Sequence, residues 1–196
     1  MSPLRRRQLL EQVPAIHGTK TALYTRLIDN GAAPLRDGVT RLLEEAHRDG
    51  VPLAIATTTT FANIEALLTA SLGPDALQRF AAIGSAESVP RKKPAPDVYL
   101  HVLQALSLPA EDCVAFEDSA NGLNAAKAAG VFTVVTPSYW TRDEPLQDAD
   151  LLLPTLGSPD QPLPQDIAQA IGAPQISLSV LGELMQRSAR SGRASA

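Results

Sequence analysis

Short apolar runs, separated by longer segments with helical spacing, constrain the fold of this chain more than any other feature. Runs of this kind, without alternating polar residues, are typical of strands covered on both faces. They lie at residues 51–56, 81–86, 113–118, 131–136 and 151–154. Because strands that alternate with helices favour βαβ units, the pattern predicts an α/β fold with a mostly parallel sheet and helices on both faces.

The segments between these runs carry apolar residues at the spacing of amphipathic helices. In the clearest one, Asp37 is expected to cap the helix, Val39 and Leu42 lie on its apolar face, and Gly50 ends it. The same pattern predicts further helices at residues 22–31, 61–73, 97–108, 119–130 and 176–186. The first of these is expected to be short and to end at Gly31.

Composition excludes several classes of function. Lys and Arg number 17 against 21 Asp and Glu, so the net charge of −4 provides no positive field for nucleic acid or an anionic membrane. No stretch approaches the roughly 18 apolar residues of a membrane span. The single cysteine, Cys113, is compatible with a reducing compartment. We therefore expect a cytoplasmic protein with no nucleic-acid or membrane partner.

The first candidate site residue is Thr57, which ends the first apolar run. Ligands of parallel α/β sheets bind outside the carboxyl ends of the strands. The Thr57 hydroxyl and the amides of the following turn can converge there on a phosphate oxygen. For Thr58 to Thr60, capping of the helix that begins near Phe61 is an equally good interpretation.

Lys93 is a second candidate, because prolines hold it in a stiff segment. Pro94 and Pro96 disfavour helix at the residue before each of them. A lysine fixed in this way can neutralise a phosphate group. The alternative is an ordinary solvated loop.

Two adjacent carboxylates form the third candidate. Glu117 and Asp118 end a buried strand, where desolvation is costly unless a cation meets them. Mg2+ binds few protein carboxylates together with phosphate and water oxygens, so it suits such a pair. Capping of the next helix, which Ser119 opens, is the alternative.

In this order, the three candidates resemble the second, third and fourth motifs of the haloacid dehalogenase-like phosphohydrolases, and their surroundings resemble the CbbY-like branch of that family. The matching residues are Thr57, Lys93-Pro94-Ala95-Pro96-Asp97 and Glu117-Asp118-Ser119-Ala120-Asn121-Gly122. The resemblance covers about residues 20–155. It implies a Rossmann-like core that hydrolyses a small sugar phosphate with Mg2+, as in the branch's dephosphorylation of xylulose 1,5-bisphosphate.

The resemblance also implies roles for individual residues. Thr57, Thr58 and Lys93 are expected to bind phosphate, with Lys93 also catalytic. Asp118, with help from Glu117, is expected to hold Mg2+. Asn121 is expected near the substrate, although an asparagine at the start of a helix is equally often structural.

The family's first motif, a strand ending in Asp-x-Asp-Gly, is not found. The only Asp-x-Asp, Asp148-Ala149-Asp150, precedes an apolar run instead of ending one. The resemblance therefore implies a truncated chain without the nucleophile, most of the helical cap and the central first strand, which would lie between the strands ending at Thr57 and Glu117. We expect such a chain to be inactive. The alternative is a non-catalytic relic or phosphate-binding module that a partner chain completes with a strand.

These considerations predict a division of the chain into a cap remnant at residues 1–31, a core at 32–180, and the end of a C-terminal helix with a disordered tail at 181–196. Arg36 either faces substrate or is solvated. Tyr139 and Trp140, which follow a strand, are expected to pack over its end in the core or at its rim, with contact to substrate as the alternative.

Overall fold

The computed structural model describes residues 2–29 and 34–194. It contains two compact units, Met1–Pro34 with Ala62–Leu77 and Leu35–Phe61 with Gln78–Ala196. Residues 62–77 group with the first unit. The division into a cap remnant and a core stays a prediction. The expected boundary after Gly31 lies outside the described residues.

The first unit contains α1 (Pro3–Asp29) and most of α3 (Phe61–Leu72). The prediction of a short first helix is wrong, because α1 has 27 residues. Near its N-terminus lies the pair Arg7–Glu11, 3.3 Å apart at the helical spacing i, i+4. The apolar residues of α1 do not gather on one face, and many of them are exposed, including Ile16 at 62%. Apolar periodicity therefore did not reveal the full length of this helix.

The second unit contains the remaining elements. The strands are β1 (Ala54–Ala56), β2 (Ala82–Gly84), β3 (Val114–Glu117), β4 (Phe132–Val135) and β5 (Leu151–Leu152). The helices are α2 (Val39–Arg48), α4 (Asp97–Leu106), α5 (Ala120–Ala128), α6 (Gln165–Ile171) and α7 (Leu178–Ala194). Every predicted strand segment contains a strand, and the predicted α/β class with parallel pairing and flanking helices is confirmed.

The strands form two parallel sheets, β1–β2 and β3–β4–β5. Among the described residues, no strand pairs with the second edge of β1 or of β3. On β1 the Thr57 amide donates to the Gly84 carbonyl of β2. The N–H and the carbonyl of the preceding residue, Ala56, therefore point to the opposite, open edge. On β3 the Glu117 carbonyl accepts from the Thr136 amide. The N–H and the carbonyl of Phe116 therefore point to the open edge of β3.

Three buried clusters of described residues stabilise the second unit, the smallest of them built on Leu123, Val135 and Leu146. The two larger clusters connect its main elements. The larger one joins α2, β4, β5, α6 and α7 through Leu42, Val134, Leu153, Leu156, Leu163, Ile171, Ile176 and Leu181. The other is built on Val98, Tyr99, Ala115, Ala125, Ala126 and Val131, and Ala56 packs against it. Strands β1 and β3 therefore share a core cluster although they do not pair.

Local chemistry sets several helix ends. Gly38, not Asp37, is the N-cap residue of α2, and its φ of +83° suits a glycine. The capping prediction for Asp37 is therefore wrong. At α5, the prediction of Ser119 as the cap is confirmed, because its hydroxyl accepts from the Gly122 amide at 3.4 Å.

The C-terminal region contains more helix than its Pro- and Gly-rich composition indicates. Helix α6 forms because Ile171 is buried in the larger cluster, and it ends at Gly172 in the left-handed conformation. Helix α7 continues to Ala194 through part of the expected tail, and the pair Glu183–Arg187 bridges one of its turns at 3.2 Å. No helix among residues 2–29 and 34–194 is long and apolar enough to cross a membrane.

Candidate functional site

A cavity of about 360 Å³ opens at the carboxyl ends of β1 and β3. Its lining contains every residue to which the resemblance gives a role. The lining residues are Ala56, Thr57, Thr58, Lys93, Phe116, Glu117, Asp118, Ser119, Asn121 and Gly122. Residues from three separate segments of the sequence therefore meet at one place, where ligands of parallel sheets bind.

Thr57 lies at the floor of this cavity, directly after β1. Its amide continues the ladder to Gly84 at 2.9 Å, which fixes its backbone. Its Oγ1 accepts from the Thr59 amide at 3.3 Å, so the hydroxyl proton remains available as a donor to an anion. The neighbouring Thr58 is more exposed and lines the same cavity.

Lys93 forms the centre of the site and is not a solvated loop residue. Its Nζ donates to the Ala56 carbonyl at 2.9 Å and to Glu117 Oε1 at 2.5 Å. The Lys93 and Glu117 side chains are only 12% and 8% exposed. The ammonium group thus bridges the ends of two strands that do not pair with each other.

Tyr99 on α4 is part of this arrangement, and sequence reasoning missed it. Its hydroxyl donates to the same Glu117 Oε1, and its ring centroid lies 5.0 Å from the Lys93 Nζ. Burial raises the pKa of the Tyr99 phenol, and the Glu117 charge raises it further, so the hydroxyl remains a donor. The apolar spacing of α4 marks Tyr99 only as a core residue; the available signal was that a buried phenol needs a polar partner.

The start of α5 does not use the acidic pair as its cap. Ser119 caps the helix, and Glu144 Oε2 accepts from the Ala120 amide at 2.6 Å. The capping alternative for Glu117 and Asp118 is therefore wrong. The Asp118 carboxylate is available to the cavity that both acids line, while Lys93 and Tyr99 hold one oxygen of the Glu117 carboxylate.

Asp118 differs from Glu117 in its surroundings. It is exposed, and none of the ion pairs within residues 2–29 and 34–194 includes it. Its backbone carbonyl accepts from Thr141 Oγ1 at 2.5 Å, which ties this residue to the loop after β4. Since Glu117 already neutralises Lys93, the Asp118 charge is uncompensated.

This donor set suits Mg2+. The described residues contain no cluster of three or more metal-ligating side chains. Mg2+ requires only one or two carboxylates when phosphate and water oxygens complete its shell. Asp118, with the Glu117 carboxylate beside it, provides such a set. The uncompensated negative charge of Asp118 attracts a cation.

Arg36 is exposed and does not line the cavity, and its guanidinium donates to the carbonyls of Thr136, Pro137 and Pro154. The prediction for the two aromatic residues after β4 is wrong. Tyr139 and Trp140 do not pack over a strand end but are 66% and 85% exposed.

Comparison with known proteins identifies the family of the chain. The family model for haloacid dehalogenase-like hydrolases matches residues 4–130. The plasmid CbbY protein of Cupriavidus necator is 52% identical over 160 residues, which is 82% of this chain and 63% of that protein. Validoxylamine A 7'-phosphate phosphatase of Streptomyces hygroscopicus is 37% identical over 138 residues, 70% of this chain and 62% of that enzyme.

Solved structures give the same result. A CbbY variant from Rhodobacter sphaeroides, crystallised in complex with xylulose 1,5-bisphosphate, has a TM-score of 0.69 and 43% identity. The match covers 73% of this chain and 64% of that one. The chain thus spans less than two thirds of each of these relatives. It belongs to the haloacid dehalogenase-like hydrolases, on their CbbY-like branch.

Proposed function

We propose that the cavity binds the phosphate group of a small phosphorylated sugar and that the site belongs to a Mg2+-dependent phosphate-monoester hydrolase. The observation that carries this proposal is the combination of a buried Lys93–Glu117 pair and an uncompensated Asp118 in one cavity. The membership of this chain in the haloacid dehalogenase-like hydrolases supports the proposal.

The chain's own residues bind the phosphate in this account. Lys93 directs its ammonium toward the ligand from a fixed position, and Thr57 donates its hydroxyl proton. Thr58 lies beside them in the lining, and Asn121 contacts the substrate from the start of α5. A fixed cation and hydroxyl at the strand ends require little reorganisation when the anion binds.

Electrostatics explains why a metal is needed. Lys93 is neutralised by Glu117, so a phosphate dianion would otherwise meet the negative charge of Asp118. Asp118 would hold Mg2+, and Glu117 would help through its carboxylate. The ion would neutralise charge on the phosphate oxygens during phosphoryl transfer.

The substrate class comes from the relatives. One is named validoxylamine A 7'-phosphate phosphatase, and a CbbY structure contains xylulose 1,5-bisphosphate. We propose a sugar phosphate as substrate, with xylulose 1,5-bisphosphate as the first compound to test. Neither acidic residue of the cavity is placed as a nucleophile, since Glu117 bonds to Lys93 and Tyr99 and Asp118 is assigned to the metal. We therefore propose that these 196 residues bind the ester without turning it over.

Phosphorus NMR tests binding and turnover in one sample. The resonances of xylulose 1,5-bisphosphate should broaden in the presence of the protein and Mg2+, and no inorganic phosphate should appear. Lys93→Met should remove the broadening, while Lys92→Met should keep it, because Lys92 bonds to loop carbonyls of Ala86 and Val89 instead. Absence of broadening with any sugar phosphate would overturn the proposal. Release of phosphate that depends on Asp118 would overturn only the claim that this chain lacks turnover.

A second candidate function is a phosphate-binding module that a partner chain completes. The observation that favours it is the pair of open strand edges, at β1 and β3, which share one core cluster. Unpaired edges are templates for a further strand. At the open edge of β3, Phe116 is 42% exposed.

Hydrogen exchange distinguishes an open edge from a filled one. In the isolated chain, the Ala56 and Phe116 amides should exchange much faster than the paired Val134 amide. Protection that increases with protein concentration would identify a second copy as the donor of a strand. Fast exchange at every concentration would contradict completion by self-association.

A further inference from the structure

The position of the Lys93 ammonium depends on its acceptors, because a lysine side chain has a long flexible stem. One acceptor is the Ala56 carbonyl at the end of β1. The other is Glu117 Oε1, and this oxygen accepts from Tyr99 as well. The place of the cation thus follows from where the Glu117 carboxylate is held.

Tyr99 is the rigid member of this group. It is 8% exposed, and its ring packs in the cluster that includes Val98 and Ala126. A phenol on a packed ring has little freedom, so its hydroxyl defines a fixed point for Oε1. The ring also presents its face to the Lys93 ammonium at 5.0 Å. Tyr99 therefore contacts both members of the ion pair.

We propose that Tyr99 is a positioning residue that fixes the Lys93 ammonium at the cavity, through its hydrogen bond to Glu117 and through its ring. The proposal rests on the proposed function of Lys93 in binding phosphate. Tyr99 itself does not line the cavity.

Replacing Tyr99 by phenylalanine separates the two contacts. The ring and its packing remain, so the chain keeps its core, while Glu117 loses one of its donors. The carboxylate then gains rotational freedom, and the ammonium that bonds to it loses its fixed place. Tyr24→Phe is the matched control, because Tyr24 on α1 is 39% exposed and its removal also deletes one phenol hydroxyl.

The experiment measures Lys93 directly. Reductive methylation followed by peptide mass spectrometry gives the reaction rate of each lysine, and Tyr99→Phe should raise the Lys93 rate about threefold or more, the scale of a weakened hydrogen bond to a charged group. Lys127, which pairs with Asp150 at 2.6 Å, should react at an unchanged rate in the same sample. Inorganic phosphate, titrated with Mg2+ in the same variants, should bind at least about fivefold more weakly to Tyr99→Phe.

The outcomes separate this inference from the proposed function. An unchanged Lys93 rate in Tyr99→Phe, with Glu117→Gln raising it, would overturn the role of Tyr99. A raised Lys93 rate in a protein whose wild type binds no phosphate would support the positioning role and overturn the proposed function. A general increase at Lys93 and Lys127 together would mean loss of structure and would also contradict the proposal, since Tyr99→Phe is expected to keep the fold.

Discussion

The carboxylate of Glu117 occupies the space that a side chain at position 122 would need. A Cβ placed on Gly122 would lie 1.8 Å from Glu117 Oε2. The carboxylate cannot easily yield, because Lys93 and Tyr99 hold its other oxygen. The glycine of this motif is therefore explained by the position of the buried acid rather than by backbone conformation.

Gly122→Ala should destabilise the protein by about 1–3 kcal/mol, the usual cost of overpacking, and should weaken phosphate binding. Urea unfolding and phosphate titration measure the two effects. Gly182→Ala is the control, since Gly182 on α7 has nothing within 4 Å of its Cβ position. That variant should be neutral or more stable by up to about 1 kcal/mol, because alanine favours helix. Equal stability of the two variants would contradict the packing account.

The Lys93–Glu117 pair should show strong energetic coupling. Removing one partner of a buried pair leaves an uncompensated charge, so Lys93→Met or Glu117→Gln should each cost about 3 kcal/mol, with a coupling energy of about 2 kcal/mol in the double variant. The exposed pair Glu183–Arg187, whose side chains are 66% and 61% exposed, should couple by less than about 0.5 kcal/mol. A double-mutant cycle in urea measures both values. Similar coupling in the two pairs would argue against burial as the cause.

Tyr99 should make stability depend on alkaline pH. Its raised pKa means that the unfolded phenol loses its proton near pH 10 while the native one keeps it. The native state then binds one more proton than the unfolded state, so the contribution is complete below about pH 10 and is lost above it, by about 1.4 kcal/mol per pH unit. The free energy of unfolding of wild type should therefore fall more steeply than that of Tyr99→Phe over this range. Parallel slopes would contradict the assignment.

Arg36 should contribute to stability through its contacts with backbone carbonyls beyond β4 and β5. Arg36→Met should cost about 0.5–1.5 kcal/mol, because the Thr136, Pro137 and Pro154 carbonyls lose this donor and only water can replace it. Arg48→Met is the control, since the one side-chain partner of Arg48 within residues 2–29 and 34–194 is the adjacent Asp49, and Arg48 is 70% exposed. Thermal unfolding compares them, and an equal loss in both variants would argue against the proposed role of Arg36.

The strands and the ligand-binding edge could be predicted from the sequence because both follow from short-range patterns. The apolar run that ends at Phe116 predicts a buried strand, and the rule for parallel sheets then places Thr57 and Glu117 at one edge. Ser119 could be predicted as a cap because capping depends on only a few successive residues.

Contacts between residues distant in the sequence could not be predicted in this way. Tyr99 has the spacing of a core residue, and only the structure brings its hydroxyl to Glu117. Arg36 reaches carbonyls that lie about a hundred residues later in the chain. Helix α1 was underestimated because its exposed apolar side chains give no regular apolar face.

The most direct test of the central claim is a calorimetric titration of inorganic phosphate with and without Mg2+. Phosphate and Mg2+ should each increase the affinity for the other, because Asp118 and the phosphate oxygens share the ion. Asp118→Asn should abolish this mutual effect, and Lys93→Met should weaken phosphate binding with or without the metal. Asp143→Asn is the control: its side chain is 94% exposed, and the variant should change neither the phosphate affinity nor its dependence on Mg2+. Phosphate binding that is the same with and without Mg2+ in the wild-type protein, or no binding at all, would contradict the account.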